Sequence, residues 1–221
     1  MPHHSAIAQM LSGVDEMDPG FFHNSQQGQR PHTLWIGCGD SRVPETVISG
    51  AKPGDILVNR NIGNQVRFDD DSMLAVLTFA VEVLGVEHVI VCGHTGCGAV
   101  EASFNASKSK SFTPTQPHNT FPGYPAESSL NRWLASLAIL ITSLRVSSVP
   151  DDEALSFLVR ENVKVQVDNL CQTEVIKNVW KNGGSPQGKE VWVHGWVYDI
   201  GLGRIRDLEI SRGPEPTEKA L

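Results

Sequence analysis

Two cysteines and a histidine each sit at or just past the end of an apolar run that reads as a buried strand. Cys38 follows Thr33-Leu34-Trp35-Ile36, and His94 and Cys97 follow Val89-Ile90-Val91-Cys92. Two thiolates and one imidazole make a zinc ligand set with one tetrahedral position left over, and an open position is where a metal ionises water near neutral pH. The set cancels the charge of the dication, so its metal is a weaker acid than one held by three histidines and needs help from neighbours. Asp40 and Arg42 stand beside the first ligand, in Cys38-Gly39-Asp40-Ser41-Arg42. The carboxylate can accept a hydrogen bond from an attacking water and orient its lone pair. The guanidinium can hold that carboxylate ionised in a bidentate pair.

Groups this far apart in sequence need a sheet to bring them together. Thr33–Cys38 reads as a first strand, and Asp55–Val58 as a second, introduced by Lys52-Pro53-Gly54 and running into Asn59-Arg60-Asn61. His88–Cys92 is a third. Between the last two lies a helical segment from Ser72 to Leu84, started by Asp69-Asp70-Asp71 and stopped by Gly85. That order predicts a parallel unit. Val191–Tyr198 reads as a fourth strand, and Gly201-Leu202-Gly203 turns the chain into a fifth, Ile205–Ile210. The predicted class is therefore α/β: a central, mostly parallel β-sheet of about four parallel strands plus an antiparallel edge strand, flanked by helices. Ligands bind such sheets at the carboxyl ends of the strands, where Cys38, Arg60 and His94 converge.

A short helical pattern occupies Ile7–Val14; a further helix is expected over residues 130–144, and one long helix from residue 151 to 180, ended by Gly183-Gly184. Cys92 and Cys171 read as core thiols. The organisation expected is one domain over residues 1–221, with an N-terminal helical arm over 1–30 and a surface insertion over 103–129, a stretch rich in Ser, Thr, Pro and Asn. The 72–84 helix is apolar nearly all round, so one face covers the sheet and the other calls for a second copy of the chain.

Bulk composition fits that picture. The chain has 221 residues, 40% hydrophobic and only 19% charged, as expected where another subunit covers part of the surface. A net charge of −7 argues against nucleic acid, whose phosphates need clustered Lys and Arg. No membrane span is expected, since no run approaches about 20 apolar residues. Four cysteines make no disulfide scaffold, and no secretory signal pattern is seen, so the expected location is cytoplasmic.

With the motifs assembled, the chain resembles the β-class carbonic anhydrases: Cys38-Gly39-Asp40-Ser41-Arg42, then Arg60-Asn61, then Gly93-His94-Thr95-Gly96-Cys97-Gly98. The likeness runs from about Gln29 to about Tyr198. It implies a zinc lyase that reversibly hydrates carbon dioxide to bicarbonate, with hydroxide on the zinc as nucleophile. Cys38, His94 and Cys97 would hold the metal, and Asp40 and Arg42 would be the catalytic dyad. Gln29, Phe79 and Val83 match substrate-binding positions, the last two reached from a neighbouring subunit, so a homodimer or a dimer of dimers (homotetramer) is implied. Trp35, Arg60 and Tyr198 match a regulatory bicarbonate site. In members that carry it, the aspartate leaves its arginine and takes the fourth zinc position at lower pH or with bicarbonate, and Asp40 is expected to do so here. The sequence departs from the family at Ala99, where a second glycine is usual, and at Phe79, where a tyrosine hydroxyl is lost. Two other readings share the ligand set: a CS2 or COS hydrolase on the same scaffold, and a zinc-binding module without turnover.

Overall fold

The computed structural model describes residues 20–109, 120, 121, 123–146 and 148–214. The pattern at Ile7–Val14 lies outside them. The chain divides into two compact units, Met1–Arg30 and Pro31–Leu221. In the first, the described part is a short helix α1 (Phe21–Ser25), closed by a bond from Ser25 Oγ to the Phe21 carbonyl at 2.8 Å.

The second unit is built on five strands: β1 (Thr33–Cys38), β2 (Ile56–Asn61), β3 (His88–His94), β4 (Trp192–Asp199) and β5 (Arg204–Asp207). Their order is β2-β1-β3-β4-β5, parallel throughout except for β5, which pairs antiparallel with β4. β1 lies inside the sheet, between β2 and β3, and is buried at every position, which is why it reads as an uninterrupted apolar run instead of an alternating one. The chain leaves β1 for one side of the sheet and returns on the other as β3. At such a switch the loops after the two strands part and leave a crevice at their carboxyl ends, and Cys38 and His94 are the residues that end β1 and β3.

The helices are α2 (Glu45–Ser49), α3 (Asp71–Thr78), α4 (Gly98–Ser107), α5 (Ser129–Ser143), α6 (Asp151–Cys171) and α7 (Glu174–Lys181). The main core joins one sheet face to α6, where Leu158, Val159, Val163 and Val167 are buried. Close approach is needed there: a Cβ on Gly93 would lie 2.7 Å from Val163 Cγ2. The other sheet face carries a smaller cluster, Trp35, Ile90 and Cys92 with Trp196, Tyr198 and Ile205 packed on it.

Four elements differ from expectation. The helix expected over residues 72–84 is α-helical only to Thr78; Phe79–Leu84 widens into a π-helical segment ended by Gly85 at φ 70°. In that widened turn Ala80 and Val81 are both fully buried while Phe79 and Val83 face outward. Asp70 starts α3 by accepting from the Ser72 and Met73 amides, as the aspartate run implied. The long helix expected over 151–180 is two helices, because Thr173 interrupts it: its side chain accepts from the Ile176 amide and caps α7. Helix α4 continues to Ser107, so helical structure enters the stretch expected to be irregular from 103. β5 ends at Asp207, short of Ile210. Among the described residues no helix is long and apolar enough to cross a membrane.

Candidate metal centre

Strand ends do most of the positioning. Cys38 is the last residue of β1, His94 the last of β3, and Cys97 stands immediately before α4 with extended backbone (φ −72°, ψ 115°). Their side chains are 5%, 1% and 3% exposed. The three ligand atoms all lie within 4.8 Å of one another, and the two sulfurs are 4.0 Å apart. Two sulfurs on one tetrahedral zinc stand about 3.8 Å apart, so the spacing suits that ion with little movement.

Hydrogen bonding fixes which atom of the imidazole faces the sulfurs. His94 Nδ1 lies 3.0 Å from the Thr95 carbonyl, which can only accept, so the proton belongs on Nδ1. Nε2 is left with a lone pair, buried and without a hydrogen-bond partner. A buried polar atom without a partner is costly, and a metal ion satisfies it. Thr95 is itself held by two bonds to the end of β4: its amide donates to the Tyr198 carbonyl and its hydroxyl accepts from the Ile200 amide, each at 3.0 Å.

The thiols are prepared unequally. Cys38 is lowered to about 4, chiefly by the hydrogen bond from the Cys97 thiol, against burial. Cys97 is pushed upward by giving that bond and by burial. Without a metal the pair therefore shares one proton. Cys92 and Cys171 behave differently: burial pushes them up to about 12 and about 11, so both stay neutral core thiols.

The carboxylate expected beside the ligands is present and locked. Asp40 Oδ1 accepts from the Arg42 amide and Nε, both at 2.9 Å, and Oδ2 accepts from Nη2 at 2.7 Å. This fork holds Asp40 far below the ordinary carboxylate range. Arg42 Nη2 also donates to the Gly96 carbonyl at 2.9 Å, tying the dyad to the turn between His94 and Cys97. Asp40 Oδ2 is 3.9 Å from His94 Nε2, next to the position a metal would take.

Arg60 stands on the neighbouring strand and brackets the same loop: Nε donates to the Cys38 carbonyl at 2.8 Å, and Nη2 to the Asp40 carbonyl. Trp35 is 2% exposed and meets Trp196 edge-on at 6.0 Å, in the apolar cluster that Tyr198 also joins. Strand register places Arg60 beside Gly37, on the face that carries Trp35. Phe79 and Val83 lie on the π-helical segment, 43% and 57% exposed. Gln29 belongs to the first unit, where its side chain is exposed.

Sequence reasoning missed the buried amides that hold the loop after β2. Gly63, Gln65 and Val66 follow β2, and from α6 Asn162 bonds Gly63 and Gln65 while Gln166 bonds Val66. The signal was available: two amides, four residues apart, interrupt an otherwise apolar helix face.

Comparison with known proteins places these features in context. The carbonic anhydrase family profile matches residues 33–205. A carbonic anhydrase of Emericella nidulans is 35% identical over 197 residues, 88% of this chain and 76% of the relative. Among solved structures, the tetrameric β-carbonic anhydrases of Sordaria macrospora include one at 30% identity and TM-score 0.71, covering 95% of both chains. A β-carbonic anhydrase of Aspergillus fumigatus is 36% identical at TM-score 0.69, covering 86% of this chain and 81% of that one.

Proposed function

This chain belongs to the β-class carbonic anhydrases, and from that premise we propose that it reversibly hydrates carbon dioxide to bicarbonate and a proton at zinc held by Cys38, His94 and Cys97. When bound there, zinc supplies Lewis acidity that lets a water ionise near neutral pH. The chain's own residues supply the rest. Asp40, kept ionised by Arg42, offers its carboxylate to the hydrogen of the attacking water and so turns the oxygen lone pair toward the carbon. Arg42 keeps the carboxylate in place by holding it and the Gly96 carbonyl at once. His94 presents Nε2 because Thr95 holds Nδ1. Carbon dioxide is small and uncharged, so apolar side chains suit it; Phe79 and Val83 of a second copy would supply them, with the Gln29 amide as donor.

The observation that carries this reading is the buried, unpartnered Nε2 of His94 facing two sulfurs, with an arginine-held carboxylate 3.9 Å away. A purely structural zinc site needs no such carboxylate. Stopped-flow carbon dioxide hydration, before and after chelation and after zinc restoration, is the test. Activity that is lost with the metal and returns with zinc is expected; turnover of CS2 alone, or no turnover with zinc bound, would defeat the assignment.

Three finer points belong to the same proposal. The chain works as a homo-oligomer built around the exposed face of the π-helical segment. It resides in the cytoplasm, where thiol ligands stay reduced. Asp40 also has a second station: it exchanges from Arg42 to the metal at lower pH or with bicarbonate near Trp35, Arg60 and Tyr198, because carboxylate and hydroxide compete for one position. Structures of the zinc protein at pH 6 with bicarbonate and at pH 8.5 without it test the exchange. Asp40 remaining on Arg42 in both would rule it out.

A further inference from the structure

Two histidines meet far from the metal centre. His88 is the first residue of β3 and His94 the last, so they are separated by roughly 20 Å along the strand. His194 stands on β4, diagonally across from His88: the register pairs His194 with Ile90 and His88 with Trp192. Alternation puts both imidazoles on the sheet face that carries Ile90 and Trp196. There His88 Nδ1 lies 3.1 Å from His194 Nε2, with the ring centres 5.2 Å apart.

The His194 ring is the fixed member of the pair. Its centre lies 6.2 Å from that of Trp196 on the same strand, and its Nδ1 is 2.8 Å from Ser211 Oγ. Ser211 is placed in turn by the backbone: the amides of Val193 and Arg212 donate to each other's carbonyls, each at 2.8 Å, and pin the chain after β5 along β4. With Nδ1–H given to the Ser211 hydroxyl, His194 turns the lone pair of Nε2 toward His88. Burial and the neighbouring His88 hold His194 below the ordinary imidazole range, so it is neutral at pH 7.5. His88 is exposed, which leaves the pair reachable from solvent.

We infer that His88 and His194 form a second metal site, which takes a divalent transition cation of the zinc, nickel and copper class through His88 Nδ1 and His194 Nε2. Two nitrogens at about 2.0–2.1 Å from one ion stand about 2.9 Å apart at a right angle and about 3.3 Å apart at the tetrahedral angle. The observed 3.1 Å lies between them. The contact from His194 Nδ1 to Ser211 is of the kind that fixes tautomer and ring direction at histidine metal sites. Binding moves the His88 proton from Nδ1 to Nε2, so both rings stay neutral and no proton is released. Water completes the coordination. Magnesium, a hard cation that takes oxygen ligands, is not held. An ion bound there ties β3 to β4 and, through Ser211, to the segment after β5.

The inference does not depend on the activity proposed above. Its test uses the zinc-loaded full chain with nitrogen-labelled imidazoles, titrated at pH 7.5 with further zinc while the ring nitrogens are followed by magnetic resonance. His88 Nδ1 and His194 Nε2 are expected to shift together to metal-bound positions as one further equivalent is taken up, and magnesium should leave them unmoved. His88→Gln and His194→Phe should each abolish that uptake. His88 is exposed, so His88→Gln serves even where His194→Phe does not fold. Ring nitrogens that stay in place through excess zinc overturn the inference, as does a further equivalent that the His88→Gln chain retains, since the ion would then sit elsewhere.

Discussion

Asp40 is one carboxylate among many on the surface of an acidic chain, and what distinguishes it is its company: a guanidinium fork on one side and His94 Nε2 at 3.9 Å on the other. Replacing it separates metal binding from turnover. Asp40→Ala should retain zinc, since the three ligands are untouched, and lose roughly 10²-fold or more in carbon dioxide hydration; full activity across pH would remove the carboxylate from the mechanism. The thiols make a second prediction. Cys38, held at about 4, is already a thiolate at neutral pH, whereas Cys97 is pushed upward and still carries its proton. Zinc uptake then displaces one proton, so affinity should rise about tenfold per pH unit between pH 7 and 8. Chelator competition measures this directly, and a hundredfold rise would mean that both thiols start protonated. The ligands and the dyad were legible in sequence because their types are rare and each follows an apolar run. The amides of α6 were not, because Asn and Gln on a helix read as solvated until the loop they face is known.

At the scale of elements, the sheet order explains why ligands more than fifty residues apart meet: β1 and β3 are neighbours and both end at the crevice. Helix α6 lies against these strands with no room to spare at Gly93, the residue before His94. Gly93→Ala should cost about 1–3 kcal/mol by forcing Cβ into Val163 Cγ2. Adding Val163→Ala should recover part of that loss, since it removes the clashing methyl; urea unfolding of the two single variants and the double decides it, and strict additivity would show that the contact is not the cause. The strands were readable from their apolar runs and turn signals. The break between α6 and α7 was not, because the apolar spacing continues across it and only the Thr173 cap ends one helix and starts the next. The π-helical turn was hidden likewise: an apolar stripe does not report whether a helix is wound with one extra residue per turn.

The whole molecule leaves large apolar side chains exposed on the π-helical segment, Phe79 at 43% and Val83 at 57%, and between β2 and α3, Ile62 at 43% and Phe68 at 55%. Exposed apolar side chains of this kind mark a surface made to be covered, and the second copy proposed above would cover Phe79 and Val83. Val83→Glu should shift the assembly toward the monomer and lower activity several-fold while zinc content stays constant; sedimentation paired with metal analysis tells these effects apart, and an unchanged assembly would move the interface elsewhere. All of these expectations depend on one coordination sphere, and zinc-edge X-ray absorption of the purified chain reads it directly. Two sulfurs at about 2.3 Å, with nitrogen or oxygen neighbours at about 2.0–2.1 Å completing four ligands, is the spectrum expected. Four sulfurs, no sulfur, or a protein that holds no zinc would contradict it.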